Sequence, residues 1–321
     1  MTTLTRRTLV LGAVAAPFAA QAQTSSSNII KFIVPFPPGG TADPIARMAQ
    51  PGLQQRLGAT VIVENRPGAS GSIGAAQAAK SAPDGTTLVI VFDTHAVNPF
   101  LQTLSFDTEK DLDPVLLIGT APNIAATHPS RPFKTFSDVI AAAKEKPGTI
   151  TYGSIGNGSL GHLTGVLLSQ RAGVSMVHVP YRGGGPLMND ALAGHIDLAI
   201  ASAALVTPQV KGGKLRALAQ TGKTRIPALS DIPTAIESGF AGFESYAWWG
   251  IFTPAPTPKP ILERLSNAMA ESLRDPTITK TISENMQITM RLGGPEEQRK
   301  FLVEQMKLWG PVVREHGIKG D

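Results

Sequence analysis

Short apolar runs that end in glycine-rich loops, with helical patterns between them, constrain this chain more than any other feature. The runs are rich in Val, Ile and Phe: Ile30–Phe36, Thr60–Val63, Thr87–Phe92, Thr149–Tyr152, Ser175–Val179, Asp197–Ala201 and Leu215–Ala219. Continuous apolar runs of this length read as buried strands of parallel sheets. Helical spacing fills the stretches Asp43–Leu57, Phe136–Lys146, Leu160–Arg171 and Gly185–Ala193. From Pro260 onward the pattern is helical, with Pro295 opening a last helix towards Val313. Alternating strand and helix predict an α/β protein with mainly parallel sheets flanked by helices. Pro51-Gly52 interrupts the first helical stretch and predicts a kink or two short helices there.

Two stretches read as crossings between lobes. Gly119–Ser130 carries Pro122 and Pro129 without strong periodicity, and Gly242–Pro258 is aromatic and ends in prolines. Two crossings predict a two-lobed, Venus-flytrap architecture. One lobe comprises residues 28–124 plus 246–321, and the other residues 125–245. Such a layout suits hinge closure around a ligand. Trp248 and Trp249 fit either hinge packing or a ligand wall.

The loops carry the chemistry. Pro35–Asp43, Asn65–Gly74, Gly153–His162 and Pro180–Pro186 all stand at the carboxyl ends of strands, where open parallel sheets bind ligands. Glycine lets backbone amides approach an anion, and a following helix adds free N–H groups and the positive end of its dipole. Several such loops, split between two lobes, point to an anion cleft.

At the N-terminus, Arg6-Arg7, the apolar stretch Thr8–Ala20 and the A-x-A site Ala20–Ala22 have the layout of a secretory signal peptide over residues 1–22. The arginine pair permits twin-arginine export. A cleaved, periplasmic product is expected. Removing residues 1–22 takes away two arginines and no acid, so the formal charge falls from +5 to +3. That balance does not call for nucleic acid. The chain has no cysteine, which excludes disulfides, thiolate metal sites and a cysteine nucleophile.

Gly156–Gly161 satisfies G-x-G-x-x-G, but the ribose-binding acid expected about 20 residues on is missing. No Asp or Glu occurs between Lys146 and Asn189. Neither Ser154 nor Ser159 sits in G-x-S-x-G, and the six histidines show no metal-ligand spacing. No catalytic residue, metal or cofactor is expected, and the chain reads as a binding protein.

The strings P-F-P-P-G-G-T-A-D from Pro35, V-E-N-R-P-G-A-S-G-S-I-G from Val63 and H-V-P-Y-R-G-G-G-P from His178 resemble the tripartite tricarboxylate transporter receptors, also called Bug-type receptors. So do D-I-P-T-A-I-E-S-G-F from Asp231 and W-W-G-I-F-T-P-A-P-T-P from Trp248, and the likeness spans Ile29–Ile318. The resemblance implies a periplasmic receptor that holds a small carboxylate (di- or tricarboxylate, amino acid or aromatic acid) through loop amides and bridging waters. It implies contacts from Phe36, Pro38, Gly39, Gly40, Thr41 and Asp43, with Ser70, Gly71, Thr94 and His95 as additions. From the second lobe it implies Ser154, Gly156, Asn157, Gly158, Ser159, His162, Tyr181, Arg182 and Gly183. Pro37-Pro38 stands where many relatives carry alanine or glycine beside the proline, which narrows the space next to Phe36. The implied partners are the ligand and membrane permease subunits, and a monomer suits the fold. A sensory role, with the same ligand presented to a membrane kinase, stays open.

Overall fold

The structure, a computed structural model, describes residues 29–320. The expected signal peptide 1–22, its arginine pair and the junction 23–28 lie outside the described residues. Ten strands form: β1 Ile29–Val34, β2 Thr60–Asn65, β3 Thr87–Phe92, β4 Leu112–Thr127, β5 Thr151–Ser154, β6 Val177–Pro180, β7 Leu198–Ser202, β8 Arg216–Gln220, β9 Tyr246–Pro254 and β10 Thr289–Gly293. The helices are α1 Ala42–Leu57, α2 Ser72–Ala79, α3 Thr94–Leu101, α4 Phe136–Glu145, α5 Leu160–Ala172, α6 Gly184–Ala193, α7 Ala203–Lys211, α8 Lys259–Leu273, α9 Pro276–Lys280 and α10 Pro295–Glu315.

Each lobe keeps the expected parallel set. β1 pairs in parallel with β2 and β3, and β5 with β6 and β7. The crossing strands then add antiparallel neighbours, so both sheets are mixed. The stretch 119–130, read as an irregular crossing, lies mostly within the long strand β4. Up to Pro122 this strand pairs with β9 and β10, and from Asn123 it pairs with β7 and β8. The second crossing is likewise a strand, β9, which lies between β3 and β4.

Alternation along β9 sends its two tryptophans to opposite faces. Trp248 packs edge-on against Phe301 of α10, with ring centroids 5.5 Å apart, and Trp249 lies 5.0 Å from Phe92 of β3. Both are fully buried. Trp249 also donates its indole N–H to Thr41 Oγ1 at 2.9 Å, which ties the start of α1 to the sheet.

Of the two forms expected at Pro51-Gly52, two short helices do not occur: α1 runs unbroken through both residues. The lost Pro51 N–H is outweighed by burial of Ile45, Ala46, Ala49, Leu53 and Leu57 on one face, packed against α8. Gly52 has a packing reason of its own. A Cβ built there would lie 2.7 Å from Ser272 Oγ and 2.8 Å from Ser272 Cβ, and Ser272 is fixed by its hydrogen bond to the Ala268 carbonyl.

Two opposed effects meet at Gly52, and packing is expected to win. Gly52→Ala gains about 1 kcal/mol of helix propensity but overpacks the α1–α8 contact at a cost of about 1–3 kcal/mol. Urea unfolding should show a net loss. A more stable variant would mean that α1 and α8 are not held this closely.

Candidate functional site

The cleft is built where helices begin. The inner cavity between the lobes is lined by Gly40, Thr41 and Ala42 at the start of α1, Asp93 before α3, Gly161 in the first turn of α5, Gly184 opening α6, and Ser202 before α7. Five helix N-termini therefore converge on one space from both lobes. Each brings unpaired N–H groups and partial positive charge. No lysine or arginine lines this cavity. Its apolar side is Phe36, Phe92, Ile155, Ile200 and Leu205, with Phe36 edge-on to Phe92 at 6.2 Å. The charge facing an anion here is that of backbone dipoles rather than a cation, since the Asn123 amide is committed to Ser245 and Thr164.

The inner cavity is narrow, about 30 Å³, room for one or two waters. An outer cavity of about 520 Å³ shares Phe36 and Ile155 with it and is bounded by Ser70, Gly71, Tyr181, Arg182 and Gly183. The lobes thus stand nearly shut, and a ligand has to part them to reach the inner end.

Closure rests on backbone meeting backbone. A Cβ on Gly184 would lie 3.3 Å from Gly40 Cα, and one on Gly185 3.2 Å from the Pro38 carbonyl. Ser70 Oγ donates to the Asn157 carbonyl at 3.1 Å, and the Leu160 N–H donates to Asp93 Oδ1 at 3.3 Å, each bond joining the two lobes. Val97 and Leu101 of α3 pack with Leu160 and Leu163 of α5 and with Trp309 and Val313 of α10.

The residues expected from sequence divide into three groups. Phe36, Gly40 and Thr41 line the inner cavity, while Phe36, Ser70, Gly71, Tyr181, Arg182 and Gly183 line the outer one. Pro38, Gly39, Gly156, Asn157 and Gly158 sit at interlobe contacts. The remainder act within one lobe. Asp43 accepts from Arg47 Nε and Asn65 Nδ2, both at 2.9 Å, and Asn65 also donates to the Phe36 carbonyl, so Asp43 braces the first loop. Ser154 and Ser159 are fully buried around the Gly156 carbonyl, with Ser154 Oγ 2.8 Å from His178 Nε2. His162 stacks on His178 at 3.7 Å and its Nδ1 accepts the Gly158 N–H at 3.1 Å, which takes that amide out of the cleft. Burial lowers His162 to about 4 and His178 to about 3, so both rings are neutral at physiological pH. Tyr181 donates to Asp190 at 2.7 Å. Thr94 and His95 border a small void behind Phe36, and His95 packs between Phe106 and Phe252.

Of the inner-cavity residues outside the expected contacts, three carry polar side chains: Asp93, Asn123 and Ser202. Asp93 and Ser202 obey the strand-end rule that selected the others, since each stands between a strand and a helix. Asn123 sits in a crossing that read as irregular, and only the pairing switch along β4 exposes its position.

This fold has known counterparts. Residues 45–318 match the family described as tripartite tricarboxylate transporter family receptor. The chain belongs to that family. BugT of Bordetella pertussis is 32% identical over 309 residues, covering 95% of this chain and 94% of BugT. The periplasmic binding protein BugD superposes with a TM-score of 0.85 at 29% identity, covering 91% of this chain and 98% of BugD. A Rhodopseudomonas palustris protein, Rpa4515, solved with adipate, gives a TM-score of 0.85 at 31% identity over 90% of this chain and 97% of its own. The family is one of solute-binding receptors, not enzymes, and BugD is a periplasmic binding protein. No helix among the described residues is long and apolar enough to cross a membrane.

Two predictions arise from the cleft. Gly158 has φ +70, and a Cβ there would drive into Leu101, itself held in the α3–α5–α10 cluster. A Cβ on Gly40 meets nothing nearer than 3.9 Å. Gly158→Ala should lower carboxylate affinity at least about tenfold by obstructing closure, and Gly40→Ala should keep it, as read by calorimetry. Equal affinities would show that the Gly158–Leu101 contact does not form on closure.

The second concerns Asp93, buried between the lobes and pushed up to about 8 by loss of solvent, against the pull of the Leu160 and Thr94 amides. An acid with a raised folded pKa holds its proton in the shut form, so its contribution is present at low pH and lost as pH rises towards 8. Without ligand, the shut form should weaken by up to about 1.4 kcal/mol per pH unit within that window. Small-angle scattering should show a radius of gyration that grows between about pH 5 and about pH 8, and Asp93→Asn should flatten the trend. A flat wild-type profile would mean that Asp93 keeps water when the lobes meet.

Proposed function

We propose that this chain is an exported receptor that captures a small carboxylate between its lobes and delivers it to membrane permease subunits of a tripartite tricarboxylate-type transporter. The observation that carries this reading is the meeting of five helix N-termini, drawn from both lobes, around a space with no lysine or arginine. Such a cradle favours negative charge through fixed dipoles. Adipate in the Rhodopseudomonas palustris relative supports a carboxylate as ligand here. The signal-peptide layout of residues 1–22 supports export and cleavage after Ala22.

In this reading residues 28–124 plus 246–321 form one lobe and residues 125–245 the other, hinged where β4 and β9 cross. The ligand's carboxylate meets the loop amides of Phe36–Ala42 and the starts of α5, α6 and α7, with Ser70 and Arg182 at the mouth. The protein binds as a monomer and leaves its ligand chemically unchanged. Ligand contacts to both lobes shift the open–closed balance, and the closed shape is what the permease reads.

A thermal-shift screen of ligand-stripped protein against di- and tricarboxylates, amino acids and aromatic acids tests the reading. A true ligand at about 100 times its Kd should stabilise by about 2.7 kcal/mol, with hits confined to carboxylates. No shift across the panel would reject the carboxylate reading.

A further inference from the structure

The structure assigns a second polar function to the inner cavity: Asp93 is the partner for an ammonium group, and the carboxylate this receptor takes is an amino acid rather than a plain diacid. The inference rests on the receptor reading above and narrows its substrate class. Asp93 supplies the one ionisable side chain among the residues lining the inner cavity. It stands at the end of β3, 1% exposed, and faces the start of α5 across the lobe boundary.

A carboxylate shut away from water has to find a cation or a proton. The protein itself supplies no cation. The titratable neighbours on the adjoining helices are His95 on α3 and His162 on α5, and burial holds both neutral, at about 3 and about 4. His162 also has its Nδ1 committed to the Gly158 amide, and His95 is turned into the Phe106–Phe252 cluster. The Leu160 N–H satisfies part of the Asp93 carboxyl, yet burial still dominates and raises its pKa to about 8. In the empty shut form a proton therefore neutralises Asp93, and an ammonium group brought by the ligand takes the place of that proton.

The rest of the cavity is built for the opposite charge. Helix starts at Gly40–Ala42, Gly161, Gly184 and Ser202 surround the space with N–H donors. Donors on several sides and one acid on another are the complement of a zwitterion. A plain diacid of the same length brings like charge to Asp93 and closes the lobes only after the acid gains a proton. An amino acid closes them with Asp93 ionised and paired. Selectivity of this kind comes from the cost placed on the wrong ligand as much as from attraction to the right one.

The test is calorimetry on ligand-stripped, full-length mature protein near neutral pH with matched pairs: aspartate against succinate, glutamate against glutarate, and 6-aminohexanoate against adipate. The expected result is that the best binder of the panel is the amino acid of its pair, at least about tenfold tighter than its diacid. It binds without net proton uptake, measured in two buffers of different ionisation enthalpy, and Asp93→Asn removes most of the preference. A diacid that binds as tightly as its amino acid, or tighter, overturns the inference and leaves the carboxylate receptor standing. An amino-acid preference that survives Asp93→Asn also overturns it. If that variant does not fold, proton linkage of the wild type decides, and uptake of a proton with the best ligand counts against pairing. Binding by no member of any pair overturns the inference, and the thermal-shift screen with tricarboxylates and aromatic acids then decides the receptor reading.

Discussion

The cleft depends on how two strands pass from one sheet to the other. At the crossing, Asn123 of β4 exchanges backbone hydrogen bonds with Thr221 on the neighbouring segment: its carbonyl accepts the Thr221 N–H, and its N–H donates to Thr221 Oγ1. Its side-chain amide donates to Ser245 Oγ, just before β9, and Thr164 of α5 donates to the same hydroxyl. Thr221 closes the set through the Ser245 carbonyl. All four side chains are buried, so each unmade bond would cost about 1–3 kcal/mol. The network fixes both crossings at one level, and the distant loop tips are left to do the moving. Asn123 also lines the inner cavity, so the cavity and the crossing share a residue.

From that fixed level the loops fan out to meet each other. Glycine serves there in a way that amide presentation alone does not explain. Gly184 and Gly185 let two backbones approach across the cleft, and Gly158 lets the α5 loop settle on Leu101. The amide of Gly158 is meanwhile spent on His162. Closure and anion binding thus draw on the same loops through different atoms.

Much of this was legible in the sequence, and the misses share a cause. Strand ends followed by helices located Phe36–Asp43, the Gly156 loop and the Tyr181 loop, because glycine, proline and a change of periodicity mark them locally. Which atoms face the ligand is a tertiary matter. Ser154, Ser159 and His162 stand in the expected loop, yet their polar atoms bond one another or neighbouring backbone. His95 was placed towards the cleft with its neighbours, but α3 turns it into an aromatic cluster. Pro51 does not divide α1, because burial against α8 outweighs one missing hydrogen bond. Asp93 stands at a strand end like the other loops but lacks the glycines and prolines that mark them. The affiliation with the tripartite tricarboxylate transporter receptors rests on many short motifs in fixed order, a kind of information that does not depend on where side chains point.

The central claim is that the two lobes close on a ligand bound between the helix starts. The absence of cysteine makes a distance measurement direct. Gln77→Cys on α2 and Asn189→Cys on α6 place one exposed label on each side of the cleft mouth. Pulsed electron-spin measurements on this pair should show a broad or longer distance distribution without ligand. A saturating carboxylate identified by the thermal screen should draw it to one shorter, narrower peak. An unchanged distribution on saturation would contradict closure and leave the cleft a rigid pocket.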